Sequence, residues 1–126
     1  LDTRVRAGTW NTMLPGDKAN LDGTGSVFDV EKVDEEIGRR CSEMDIHPTG
    51  ELAGDGSTGI NEAWIAALGK ARVDPGTRSL RLKVADLSCD IAEDAVELSF
   101  ALGRGTFATS VLRELATTSA TGETNA

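Results

Sequence analysis

The sequence has little of the chemistry that metal and redox sites need: it contains one histidine, His47, and two cysteines, Cys41 and Cys89. The cysteines lie far apart without metal-type spacing, so we expect reduced thiols that form no disulfide. No second histidine or cysteine stands at ligand spacing from His47, and the pattern therefore predicts no metal site. We interpret His47 as a loop residue that makes one hydrogen bond.

Long apolar runs are also missing, and so is a charged segment followed by an apolar one at the start of the chain. The sequence therefore predicts a cytoplasmic protein that is neither secreted nor inserted in a membrane. Its net charge is −8, from 13 basic and 21 acidic residues. Residues 1–69 carry −7 (6 basic, 13 acidic) and residues 70–126 only −1 (7 basic, 8 acidic). Any contact with a nucleic acid must therefore be local, and the second part of the chain is the better place for it.

Apolar and polar residues alternate from Val96 to Leu102, which is the period of a half-buried strand. Gly103 and Gly105 then break the run and permit a tight turn. Thr106 follows as the predicted N-cap of a short amphipathic helix. Arg104 stands beside that helix start, an arrangement that suits a phosphate. The same pattern also fits a turn that has only a structural role.

The remaining pattern predicts mixed helices and strands, an α/β (α+β) fold. A helix is predicted from Asp29, as N-cap, to Asp45, and a second from Asn61 to Lys70 with Trp64 facing inward. Two antiparallel strands are predicted at Arg78–Leu87 and Ala95–Leu102. The glycine-rich turn between residues 20 and 28 is a poor match to a phosphate loop or a calcium loop, because the defining ligands of each are absent.

Three segments, in this order, resemble the TruD family of tRNA pseudouridine synthases. They are Leu14-Pro15-Gly16-Asp17 through Phe28, then Asp45-Ile46-His47-Pro48-Thr49-Gly50, and finally Arg78 through Arg113-Glu114-Leu115. The last contains Gly105-Thr106-Phe107-Ala108-Thr109 and is the most specific. The resemblance implies a mixed α/β catalytic domain interrupted by an inserted TRUD-type domain. On that basis residues 1–75 end the inserted domain, residues 76–116 form a strand–strand–helix piece of the catalytic domain, and residues 117–126 are a flexible tail.

The resemblance also implies an isomerase that converts a uridine of tRNA, the one at tRNA position 13, to pseudouridine. That reaction requires no cofactor and no metal, but it requires an aspartate, which the family carries in a Gly-Leu/Gln-Lys-Asp run. No such run occurs here, because Pro15-Gly16-Asp17-Lys18 has the wrong order. We therefore expect a C-terminal fragment, inactive alone, that lacks a catalytic residue and has tRNA and the missing N-terminal part of the same enzyme as partners.

In the family an aromatic residue at the position of Phe107 lines the active site, which implies that Phe107 binds the uridine. Arg104 and Thr106 complete the predicted RNA-binding set. Phe107 is alternatively the first core residue of its helix. For the whole chain the alternative function is a stand-alone RNA-binding or protein-interaction module derived from that fold.

Overall fold

The structure is a computed structural model that describes residues 2–117. The chain forms two compact units, one that ends at Arg81 and one that begins at Leu82. Helices and strands are mixed in the order α–β–β–α–β–α–β–β–β–α, so the predicted α+β class is confirmed. Within residues 2–117, no helix has the length and the apolar character needed to cross a membrane.

The first unit is built on a four-stranded antiparallel sheet with the spatial order β2-β1-β3-β4. The strands are β1 (Lys18–Leu21), β2 (Val27–Asp29), β3 (Ile46–Leu52) and β4 (Gly76–Ser79). Strand β3 is central and contains the His-Pro-Thr-Gly segment. Pro48 lies opposite Ala19 of β1, and its carbonyl oxygen accepts a hydrogen bond from the nitrogen of Leu80 at 2.8 Å.

Three helices accompany this sheet: α1 (Asp2–Ala7), α2 (Glu35–Ser42) and α3 (Glu62–Lys70). The core of the unit lies around the start of β3 and the end of α2. Its buried apolar side chains are Met13, Ala19, Val30, Cys41 and Ile46. The partly buried Leu21, Phe28, Val33 and Ile37 pack against them.

Helix α2 is shorter than predicted, and its N-cap is Asp34 rather than Asp29. The carboxylate of Asp34 accepts a hydrogen bond from the backbone nitrogen of Ile37 at 2.9 Å. Asp29 is not available as a cap because it ends β2 opposite Lys18. Val30, predicted inside the helix, precedes it and is buried in the core. The periodicity was correct for the face that packs inward, whereas the boundary was decided by strand pairing.

Helix α3 confirms the predicted span, with Asn61 as its N-cap. The side-chain oxygen of Asn61 accepts a hydrogen bond from the nitrogen of Ala63 at 2.8 Å. The predicted inward direction of Trp64 is wrong, because 69% of this residue is exposed to solvent. No residue of α3 is buried. At the C-terminal end of α3, Gly69 lies close to the carboxylate of Asp55, and the nitrogen of Val73 donates to the carbonyl oxygen of Leu68 at 3.0 Å.

The second unit consists of β5 (Val84–Ile91), β6 (Val96–Leu102) and α4 (Ala108–Leu115). The two strands pair antiparallel, with an irregular register between Ala85 and Ser88. The predicted strand Arg78–Leu87 is wrong as one element: residues 76–79 pair with β3 in the first unit, and β5 starts only at Val84. None of the described residues of this unit is buried. A hairpin and one helix offer too little apolar area to enclose a core.

Candidate functional site

The turn predicted to contact RNA lies between the end of β6 at Leu102 and the start of α4 at Ala108. Gly105 has a φ of +78°, a left-handed conformation that side chains rarely adopt, which explains the glycine at this position. The hydroxyl of Thr106 donates a hydrogen bond to the carbonyl oxygen of Gly103 at 2.6 Å. The turn is therefore closed by its own residues.

The prediction that Thr106 caps helix α4 is wrong. Phe107 occupies the N-cap position with an extended backbone (φ −120°, ψ 130°), and the helix has no side-chain cap. The hydroxyl of Thr106 cannot serve as a cap because it faces back to Gly103. Thr106 thus shapes the turn that precedes the helix.

Phe107 is 64% exposed, and Arg104 on the same turn is also exposed. Among the described residues Val111 and Leu112 form the half-buried part of α4, and since no residue of this unit is buried, both interpretations of Phe107 stay predictions. An exposed phenyl ring can stack on a base, and an exposed guanidinium on the same turn can pair with a phosphate.

His47 was predicted as a loop residue with one hydrogen bond, but it lies on β3, is only 3% exposed and uses both ring nitrogens. Nε2 lies 2.7 Å from the carboxylate of Asp22. Nδ1 accepts a hydrogen bond from Nε of Arg81 at 3.1 Å. A guanidinium has no acceptor, so Nδ1 carries no proton and Nε2 donates to Asp22. The prediction failed because these partners are distant in sequence.

Arg81 is a side chain whose role sequence reasoning missed. Its Nη2 donates to the carbonyl oxygens of Ile46 at 2.6 Å and Cys41 at 2.9 Å, and its Nη1 donates to that of Asn11 at 3.3 Å. By position, Arg81 is one of the seven basic residues of residues 70–126, the part of the chain that the charge distribution favours for a nucleic-acid contact. These contacts show that its charge is directed into the first unit instead.

The polar groups of the glycine-rich turn after β1 hydrogen-bond to one another. The side-chain amide of Asn20 donates to the carbonyl oxygens of Thr24 and Ser26, at 2.9 and 3.2 Å. The Thr24 hydroxyl donates to the carbonyl of Leu21 at 2.9 Å. The turn therefore closes the β1–β2 hairpin. In the described part of the chain, no group of three or more His, Cys, Asp or Glu side chains is arranged to hold a metal ion.

The architecture defines an α+β chain of two units in which a strand, a glycine turn and a short helix present an exposed aromatic. Residues 59–115 match the sequence model of the family described as tRNA pseudouridine synthase D (TruD). This match covers α3, the whole hairpin and α4.

The chain is also similar to curated relatives over most of its length. It is 39% identical to tRNA pseudouridine synthase D of Methylococcus capsulatus over an alignment of 127 positions, gaps included, that covers 89% of this chain and 36% of the relative. It is 37% identical to the protein of that name from Nitrosococcus oceani (94% and 37% covered) and 35% identical to that from Psychrobacter arcticus (91% and 34%). The chain is thus similar to the TruD family, and it spans about a third of the length of these relatives.

Proposed function

We propose that this chain is part of a tRNA pseudouridine synthase and acts, as a segment of that enzyme, on a uridine of tRNA. The support is the family match together with the name tRNA pseudouridine synthase D that the similar proteins carry. The activity belongs to the whole enzyme, because the chain corresponds to about a third of it. The cellular place of such an enzyme is the cytoplasm, and the specific uridine proposed is the one at tRNA position 13.

The proposed reaction breaks the N1–C1′ bond of a uridine, turns the uracil and rejoins it through C5, with an aspartate acting on the sugar. The sequence contains no Gly-x-Lys-Asp run to supply that aspartate. Asp17, the nearest match, is occupied: both of its carboxylate oxygens accept from Arg4, at 2.8 and 3.0 Å, and one also accepts from the nitrogen of Leu14 at 2.8 Å. We therefore propose that residues 1–126 have no isomerase activity by themselves.

In this proposal Phe107 stacks on the flipped-out uridine, and Arg104 binds a neighbouring phosphate. Thr106 contributes by holding the turn through its bond to Gly103. The single observation that carries the assignment is the 64% exposure of Phe107 at the end of a closed glycine turn. A phenyl ring that is left uncovered by its own unit is available to a base.

The other proposed partner is the remainder of the same enzyme. One face of the β5–β6 hairpin is apolar, and at its end Ile91 (81% exposed) stands opposite Val96 (59% exposed). Covering these side chains with another part of the enzyme would remove their apolar surface from water, which is favourable. The proposal assigns residues 1–75 to the inserted domain and residues 76–116 to the catalytic domain, whereas the two compact units of the structure divide between Arg81 and Leu82.

The test is to map pseudouridine in tRNA from cells whose only copy of the complete gene carries Phe107→Ala. We expect roughly a 5- to 150-fold loss of modification rate at the target uridine, from about 1–3 kcal/mol of lost stacking. Trp64→Ala is the matched control, because Trp64 is a similarly exposed aromatic residue (69%) outside the proposed site. Equal amounts of pseudouridine in the Phe107→Ala and unaltered strains would refute the assignment of Phe107. Pseudouridine that persists at the target position after the gene is disrupted would refute the proposed function.

A further inference from the structure

His47 and Arg81 form a buried polar network that the proposed RNA chemistry does not use. Arg81 directs four of its five N–H groups to acceptors on three other segments of the first unit. These acceptors lie after α1, at the end of α2 and at the start of β3. The segments are up to 70 residues away in sequence, so one side chain joins the beginning of the unit to its last residue.

The backbone at Arg81 is itself held in place, which fixes the origin of the guanidinium. The hydroxyl of Ser79 donates to the Arg81 carbonyl at 2.7 Å, and the Arg81 nitrogen donates to that hydroxyl at 3.2 Å. The preceding residue, Leu80, donates from its nitrogen to the carbonyl of Pro48 at 2.8 Å. The backbone is thus hydrogen-bonded to β3 at Leu80, the residue immediately before Arg81.

We infer that the Arg81 guanidinium is a clamp that locks the end of the first unit onto the His-Pro-Thr-Gly strand, and that His47 serves in it as a neutral Nε2–H imidazole. In this role His47 accepts a hydrogen bond from Arg81 and donates one to Asp22. It is neither an RNA ligand nor a proton-transfer group. Burial of the ring and engagement of both nitrogens leave no atom for a substrate. This inference goes beyond the proposed function and does not depend on it.

Lysine cannot replace Arg81 in such a clamp. The guanidinium is planar and presents its N–H groups along three edges, so it reaches the imidazole and three carbonyl oxygens at once. An ammonium donates three protons from a single atom and cannot span these acceptors. Buried carbonyls and the ring nitrogen would then lose their partner, which is costly even though the charge is retained.

The first test uses the unaltered 126-residue chain and long-range ¹H–¹⁵N NMR of the imidazole. His47 is the only histidine, so the spectrum contains one ring and needs no assignment by mutation. We expect a protonated Nε2 and an unprotonated Nδ1 at neutral pH. A proton on Nδ1, in either the other tautomer or a doubly protonated ring, would overturn the clamp, because Nδ1 could not accept from Arg81.

The second test compares the thermal unfolding of Arg81→Lys and Arg78→Lys. Arg78 is the matched control, because it is an exposed arginine three positions earlier on β4. We expect Arg81→Lys to lower Tm by about 8 °C or more and Arg78→Lys to change it by no more than about 2 °C. If Arg81→Lys does not fold whereas Arg78→Lys does, the inference is supported. Equal shifts of Tm in the two variants contradict it.

A double variant separates the clamp from a general loss of packing. His47→Phe removes both ring nitrogens at similar volume. Combined with Arg81→Lys, it should lower Tm by clearly less than the sum of the two single shifts, because each change breaks the same network. Strict additivity would mean that the two side chains act independently, and the inference would fail.

Discussion

The backbone of Gly54 lies directly against the peptide that joins Asp74 to Pro75. A Cβ atom on Gly54 would overlap the nitrogen of Pro75 and the carbonyl carbon of Asp74. The neighbouring Asp55 nitrogen donates to the carbonyl of Val73 at 2.7 Å, and Gly54 is buried. The loop after β3 and the segment before β4 are therefore packed backbone to backbone, which only glycine permits.

Gly54→Ala should destabilise the first unit by about 3 kcal/mol, at the upper end for overpacking, because a backbone atom cannot rotate away from the new methyl group. Urea unfolding measures the loss. Gly76→Ala is the control: no atom lies within 4 Å of its Cβ position and its φ is not positive, so we expect a change within about 1 kcal/mol. Similar losses in the two variants would mean that the close approach at Gly54 does not exist.

Asp34→Ala should lower the free energy of unfolding by about 1 kcal/mol, because α2 loses its N-cap. Asp29→Ala should cost less than about 0.5 kcal/mol, since the ion pair of Asp29 with Lys18 at 3.3 Å is exposed. Chemical denaturation followed by circular dichroism gives both values. The reverse order would show that the helix starts at Asp29, as the sequence pattern predicted.

Ile91→Ser tests whether the hairpin face is covered in the complete enzyme. In the 126-residue chain we expect a change within about 0.5 kcal/mol, because Ile91 is almost fully exposed. In the complete enzyme the same substitution should cost about 1.5–3 kcal/mol if the side chain becomes buried. Leu98→Ser, half-buried on the same strand pair, is the control that should destabilise both proteins. An equally small effect of Ile91→Ser in both would remove the support for a covering partner.

Much of the fold could be predicted because its signals are local. The alternation along β6 and the amphipathic patterns of α2 and α4 lie within single elements, and the strand–turn–helix order around Gly105 is correct. The boundaries were less predictable because they depend on pairing. Gly76–Ser79 reads as part of a longer strand, but it bonds to β3 and so separates from β5.

In the candidate site, too, some features could be predicted from the sequence and others could not. Exposure of Phe107 and Arg104 follows from a turn that the sequence marks with two glycines. The hydrogen bond of Thr106 to Gly103 was not predictable, because a hydroxyl at that position can face either the helix or the preceding turn. Thr106 therefore shapes the turn where the pattern had predicted a cap.

By itself, the sequence determined the α+β class, the similarity to the TruD family and the position of the glycine turn, because periodicity and motif order are properties of neighbouring residues. Only the tertiary structure decided the roles of His47 and Arg81. They are 34 residues apart, and their contact exists only because β3 and β4 pair and bring them together. A lone histidine in a loop-like segment thereby became a buried member of a hydrogen-bond network.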